Sequence, residues 1–119
     1  MLAGKKVLLI DSCQATREVR TRVLASHGVD VHTVEDLFSA RFRWQSDVYD
    51  LLMLDVRRYY PGEALEFYEQ VRDANPRQRF AFLVGPPKFL SLTWPAEVLA
   101  AGKEPRQWEE TVKRLLPAA

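Results

Sequence analysis

Two apolar runs that each end on an aspartate set the pattern of this chain. DLLMLDVR, residues 50–57, is almost unbroken in its hydrophobicity, too short for a buried helix and not alternating. It predicts a central parallel strand covered on both faces, with Asp55 at its carboxyl end. KKVLLID, residues 5–11, repeats the pattern and ends on Asp11. Open α/β sheets carry their chemistry at the carboxyl edge of the strands, so two such strands deliver two carboxylates to the same edge.

Between these runs the period changes. SCQATREVRTRVLASHG, 12–28, opens on a capping residue, Ser12, spaces Ala15, Val19 and Val23 four apart and stops at Gly28, which predicts an amphipathic helix. VDVHTV, 29–34, alternates apolar and polar residues as an edge strand does. EDLFSARFRW resumes helical spacing through Leu37, Ala40 and Trp44. After the central strand, Pro61 and Gly62 punctuate a loop, and EALEFYEQVRDANP forms a helix with Ala64, Phe67, Tyr68 and Val71 on one face. RFAFLV, 79–84, is a further buried strand.

From Lys88 to Ala101 the pattern blurs. Pro86, Pro87 and Pro95 leave no room for a helix of ordinary length, and EVLAA is the candidate fifth strand. A closing helix starts at Pro105 and places Trp108, Val112, Leu115 and Leu116 on one face. Strands alternating with helices at this spacing give an α/β fold with a parallel sheet and right-handed crossovers.

Composition narrows the function. With 119 residues, 47% of them hydrophobic, the chain is expected to form one domain, 1–119, able to bury a core without disulfides or a structural metal. A net charge of +1 and arginines scattered in pairs give no field for nucleic acid. Cys13 is the only cysteine, which fits a reducing cytoplasm, and the run into Lys5 and Lys6 lacks the apolar stretch of a signal peptide or membrane span. His27 and His32 have no metal-ligand company, so structural roles are expected of both.

The order and spacing of VLLIDS, REVRTRVLASHGVDVHTVED and YDLLMLDVR followed by GEALEFYEQVR resemble the receiver domain of bacterial two-component response regulators, the CheY-like superfamily, over nearly the whole chain. The resemblance implies a flavodoxin-like three-layer sandwich with strand order 2-1-3-4-5, the first and third strands meeting at the switch point. It also implies phosphorelay signalling, in which Asp55 accepts a phosphoryl group from a histidine kinase while Mg2+ neutralises the crowded charge. Carried over by position, Asp55 is the phosphoacceptor, Asp11 a metal ligand together with Asp55, and the backbone carbonyl of Arg57 a further ligand. The only enzyme activity implied is phosphorylation and dephosphorylation of the protein itself.

Several positions depart from the family pattern. The second acid after the first strand is Ser12, and the hydroxyl residue ending the fourth strand is Gly85. The lysine after the fifth strand is displaced, since Ala101 and Gly102 fill the Lys-Pro positions and Lys103 reaches the lysine role only if the loop shifts. The family's aromatic switch position falls on Val98 or Ala100 according to register, and the fourth helix is shortened or lost. A lost charged ligand weakens a magnesium site by an order of magnitude or more, against ~10 to 100-fold for outer contacts. A lost lysine removes a hydrogen bond worth roughly 1.5 to 3 kcal/mol.

Three readings follow. The first is a stand-alone, divergent receiver, monomeric or weakly dimeric, phosphorylated on Asp55 with Lys103 assisting. The second is a phosphorylation-independent pseudo-receiver that acts as a protein–protein interaction module. The third, a flavodoxin-like small-ligand binder, lacks a glycine- or hydroxyl-rich phosphate loop where SCQATR stands. Each acid also has a purely structural alternative: Asp55 pairs with Arg57 or Arg58, and Asp11 caps helix N–H groups. Phe89, Leu90, Leu92 and Trp94 either pack where the missing helix would lie or face a partner.

Overall fold

The structure, a computed structural model, describes residues 4–84 and 97–100. The fourth-helix region with Phe89, Leu90, Leu92 and Trp94, together with Gly85, Lys103 and the expected closing helix around Trp108, lies outside the described residues. The elements run β1 (Lys6–Ile10), α1 (Gln14–Ser26), β2 (Asp30–Val34), α2 (Leu37–Arg43), β3 (Leu51–Asp55), α3 (Pro61–Ala74), β4 (Phe80–Val84) and β5 (Glu97–Ala100). All strand pairs are parallel, in the order β2-β1-β3-β4-β5. The backbone register sets Val98 against Phe82 and Ala100 against Val84. No helix among the described residues is long and apolar enough to cross a membrane.

The unbroken apolar runs arise because both faces of the sheet are covered. Val7, Leu9, Leu51, Met53, Ala81 and Leu83 pack with Val23 and Leu24 of α1. The alternate residues Leu8, Ile10, Leu52, Leu54, Phe80 and Phe82 pack with Leu37 and Ala40 of α2 and with Ala64, Phe67 and Val71 of α3. Adjacent residues of one strand therefore serve opposite cores, as the period of two demands. β2, at the edge, is only partly buried, with Asp30 and Thr33 exposed and Val31 and Val34 packed against opposite cores.

The register decides where the acids go. Val7 stands beside Leu51 and Ile10 beside Leu54, so Asp11 and Asp55 leave neighbouring strands at the same level.

Three local expectations need correction. The N-cap of α1 is Cys13, not Ser12, because the Asp11 carboxylate accepts the Cys13 N–H at 2.9 Å and turns the chain one residue later. Of Ala15, Val19 and Val23 only Val23 is buried; Ala15 is exposed, and α1 turns Arg20, Val23 and Leu24 inward. Pro61 and Gly62 belong to α3 rather than to a loop. Proline suits the first helical turn, where its missing N–H is not needed, and Glu63 accepts the Tyr60 N–H at 3.2 Å to close that turn.

The glycine stop of α1 is a Schellman end. Gly28 takes φ +84°, its N–H bonds to the Ala25 carbonyl and the Val29 N–H to that of Leu24. Trp44 is half-buried in the α2 and α3 core, and its indole N–H donates to buried Gln78 at 3.0 Å, giving the polar end of the ring a partner. His32 has a structural contact set, with Nδ1 at 2.8 Å from the Tyr49 hydroxyl and 3.0 Å from Arg43 Nη2.

Candidate functional site

The two acids meet at the carboxyl edge of the sheet, bridged by an arginine. Asp11 is 1% exposed, Asp55 5% and Arg20 1%, so this is a buried charged cluster that touches solvent only at Asp55. Arg20 Nη1 donates to Asp11 Oδ2 at 2.8 Å and to Asp55 Oδ2 at 2.7 Å. α1 starts directly after β1 and runs back over the sheet, which puts its second turn above the strand ends. Thr16, one turn before Arg20, donates its hydroxyl to Asp11 Oδ2 at 2.7 Å.

A second arginine closes Asp55 from the solvent side. Arg57 Nε lies 3.0 and 2.9 Å from the two Asp55 oxygens, Nη2 is 2.7 Å from Oδ2, and the Arg57 backbone N–H donates to Oδ1 at 3.0 Å. Nη2 also donates to Thr16 Oγ1 at 3.2 Å, linking this clamp to the Asp11 side. Each Asp55 oxygen thus accepts from at least two donors, which fills the about four lone-pair sites of a carboxylate. Asp11 is similarly engaged, by the Cys13 N–H, Thr16 and Arg20.

The sequence-predicted residues are placed as follows. Asp11 and Asp55 come together, and Arg57 joins them through its guanidinium and N–H. Ser12 lines an open cleft of about 170 Å³ with Cys13, Asp55, Arg57 and Arg58. Lys103 and Gly85 lie outside the described residues. The apolar residues of α1 do not by themselves point to Arg20. The available signal was the four-residue spacing of Thr16, Arg20 and Leu24, which puts a hydroxyl and a cation on one stripe above a core leucine.

Burial alone would raise the Asp55 pKa, but the hydrogen bonds from Arg57 and Arg20 and the Arg57 backbone outweigh it and hold the carboxyl below its ordinary value. The Asp55 carboxylate in turn holds Arg57 above the ordinary arginine value. As pH falls, the unfolded chain takes up the Asp55 proton first, at about 4, so the stability from this carboxylate is complete above that value. It is lost as pH falls from there through the lower folded value. Urea titrations at a series of acidic pH values should show a steeper loss in the wild type than in Asp55→Asn. Parallel acid limbs would remove Asp55 from the account.

No family model and no curated protein matches this chain. Solved structures do. The response regulator protein TrrA of Thermotoga maritima, in complex with Mg2+-BeF, superposes with a TM-score of 0.76 and 27% identity over 94% of this chain and 99% of that one. A CheY-like receiver domain protein of Methanospirillum hungatei gives 0.75 at 19% identity over 94% and 93%. The chain has the receiver-domain fold. A complex of TrrA with the histidine kinase ThkA also contains a similar receiver, at 27% identity, a TM-score of 0.75 and coverage of 94% and 98%.

Within this receiver fold, the resemblance implies a magnesium ion at the Asp11 and Asp55 carboxylates. The residues present do not fit one. Arg20 Nη1 stands between the two carboxylates, hydrogen-bonded to both. Among the described residues two carboxylates and two guanidinium groups of this cluster balance, and a divalent ion would add two positive charges to them. Among the described residues no group of three or more His, Cys, Asp or Glu side chains is arranged to hold a metal.

Proposed function

We propose that this chain is a pseudo-receiver: a signalling module of receiver fold that acts through contact with a histidine kinase or another signalling protein, without Mg2+-dependent phosphotransfer to Asp55. The observation that carries the reading is the engagement of both Asp55 oxygens by Arg20 and Arg57. A carboxylate attacks phosphorus with a free lone pair, and the two guanidinium groups occupy those lone pairs in a nearly sealed site. An exposed aromatic pair on α2, Phe38 and Phe42 at 68% and 75% exposure, also supports a role in protein contact.

A second reading, phosphorylation of Asp55 with Lys103 assisting, is supported by the position of Asp55 at the end of β3 beside the cleft, and by the likeness to a regulator crystallised with Mg2+-BeF. It requires Arg57, whose side chain is 30% exposed, to swing away and Arg20 to leave the acid pair. Proton–nitrogen correlation spectra with magnesium and beryllofluoride separate the two. The pseudo-receiver leaves the amide signals of Asp11, Asp55 and Arg57 unmoved; saturable shifts centred on them would transfer the function to the second reading.

A further inference from the structure

We propose that Arg20 is the resident cation of this pocket, holding the Asp11 and Asp55 pair in place of a divalent ion, and that its removal alone converts the pocket into a divalent-cation site. The inference deepens the pseudo-receiver reading and rests on it. Two buried carboxylates on neighbouring strands cannot both stay ionised without a positive partner. Arg20 Nη1 is that partner, 2.7 and 2.8 Å from the two acids and 1% exposed. Arg57 does not replace it, because its ion pair is with Asp55 and its reach toward Asp11 stops at Thr16 Oγ1.

Without Arg20, the described charges of the cluster, two carboxylates and Arg57, sum to minus one. The Asp11 and Asp55 oxygens that shared one nitrogen then stand within two hydrogen-bond lengths of each other. The Thr16 hydroxyl lies against Asp11 on the same side, and the cleft lined by Ser12 opens the site to water. Carboxylate, hydroxyl and water oxygens at one point are the donor set of a hard divalent cation. Arg20 is therefore a positioning residue: it fixes both acids and excludes the ion.

The test uses the full chain with Mn2+ as probe, read by electron paramagnetic resonance and thermal unfolding, in wild type, Arg20→Ala, Arg20→Lys and Arg20→Ala with Asp55→Asn. Arg20→Ala should bind Mn2+ in the millimolar range and gain about 5 °C in Tm at saturating ion. Wild type and Arg20→Lys, which keeps the cation, should do neither, and Asp55→Asn should abolish the gain. Mn2+ binding by wild type equal to that of Arg20→Ala would overturn the proposal. So would an Arg20→Ala chain that ignores the ion, whether folded or unfolded. Failure of the pseudo-receiver reading is a different result, phosphorylation of wild-type Asp55, which can occur with or without the Mn2+ outcome.

Discussion

Arg20→Ala should lose about 3 to 5 kcal/mol of folding stability in metal-free buffer, the largest effect of any single change in the pocket. The loss is not the worth of a salt bridge alone. It is the cost of leaving two carboxylates, 1% and 5% exposed, facing each other with only Arg57, on the Asp55 side, to offset their charge. Domains of this size are stable by about 5 to 15 kcal/mol in total, so the variant sits close to unfolding. Arg20→Met combined with Asp11→Asn and Asp55→Asn should recover most of the loss, since the buried charges go together and the remaining one, Arg57, is 30% exposed and can turn to water. Urea denaturation of wild type, Arg20→Ala and the triple variant checks both statements. A single variant within about 0.5 kcal/mol of wild type would mean that water reaches the acids and that the cluster is not sealed.

Phe67→Ala should be destabilised by a similar amount, about 3 to 5 kcal/mol, for an unrelated reason. Phe67 is 1% exposed on α3, and its ring lies 5.9 Å from that of Phe80, which in turn stacks within 5.0 Å of Phe82. Truncation removes one ring contact of α3 with β4, Tyr68 keeping its own with Phe80 and Phe82 at 5.2 and 5.7 Å, and leaves a cavity beneath the helix. The acid pair is untouched, so the stability of this variant should not respond to divalent ions. Comparable denaturation midpoints with an ion response in Arg20→Ala alone would separate loss of packing from loss of the resident cation. A Phe67→Ala chain rescued by Mn2+ would remove that distinction.

The sheet was readable from the chain because its signals are strong and local. Residues 7–10 and 51–54 are apolar without interruption, and only a strand buried on both faces needs that. Equal spacing from each run to its aspartate then put Asp11 and Asp55 side by side. The site's cation was not readable in the same way. α1 is a charged helix with few apolar residues, so its inward face could be drawn through Ala15, Val19 and Val23 or through Thr16, Arg20, Val23 and Leu24. Ion pairing with the acids decides between them, and that term depends on what stands opposite in space. For Arg57 the resemblance points to the backbone carbonyl and carries no signal for its guanidinium and N–H, which both bond to Asp55. The structural alternatives for both acids are present in the folded chain: Asp55 pairs with Arg57, and Asp11 accepts the Cys13 N–H at the start of α1.

The most direct test of the central claim is the intact mass of the protein after incubation with acetyl phosphate and magnesium, wild type beside Asp55→Ala. The account predicts no phosphoryl adduct on either, because both Asp55 oxygens are held by arginine. An adduct on the wild type that is absent from Asp55→Ala would contradict it and make the chain a working phosphoacceptor.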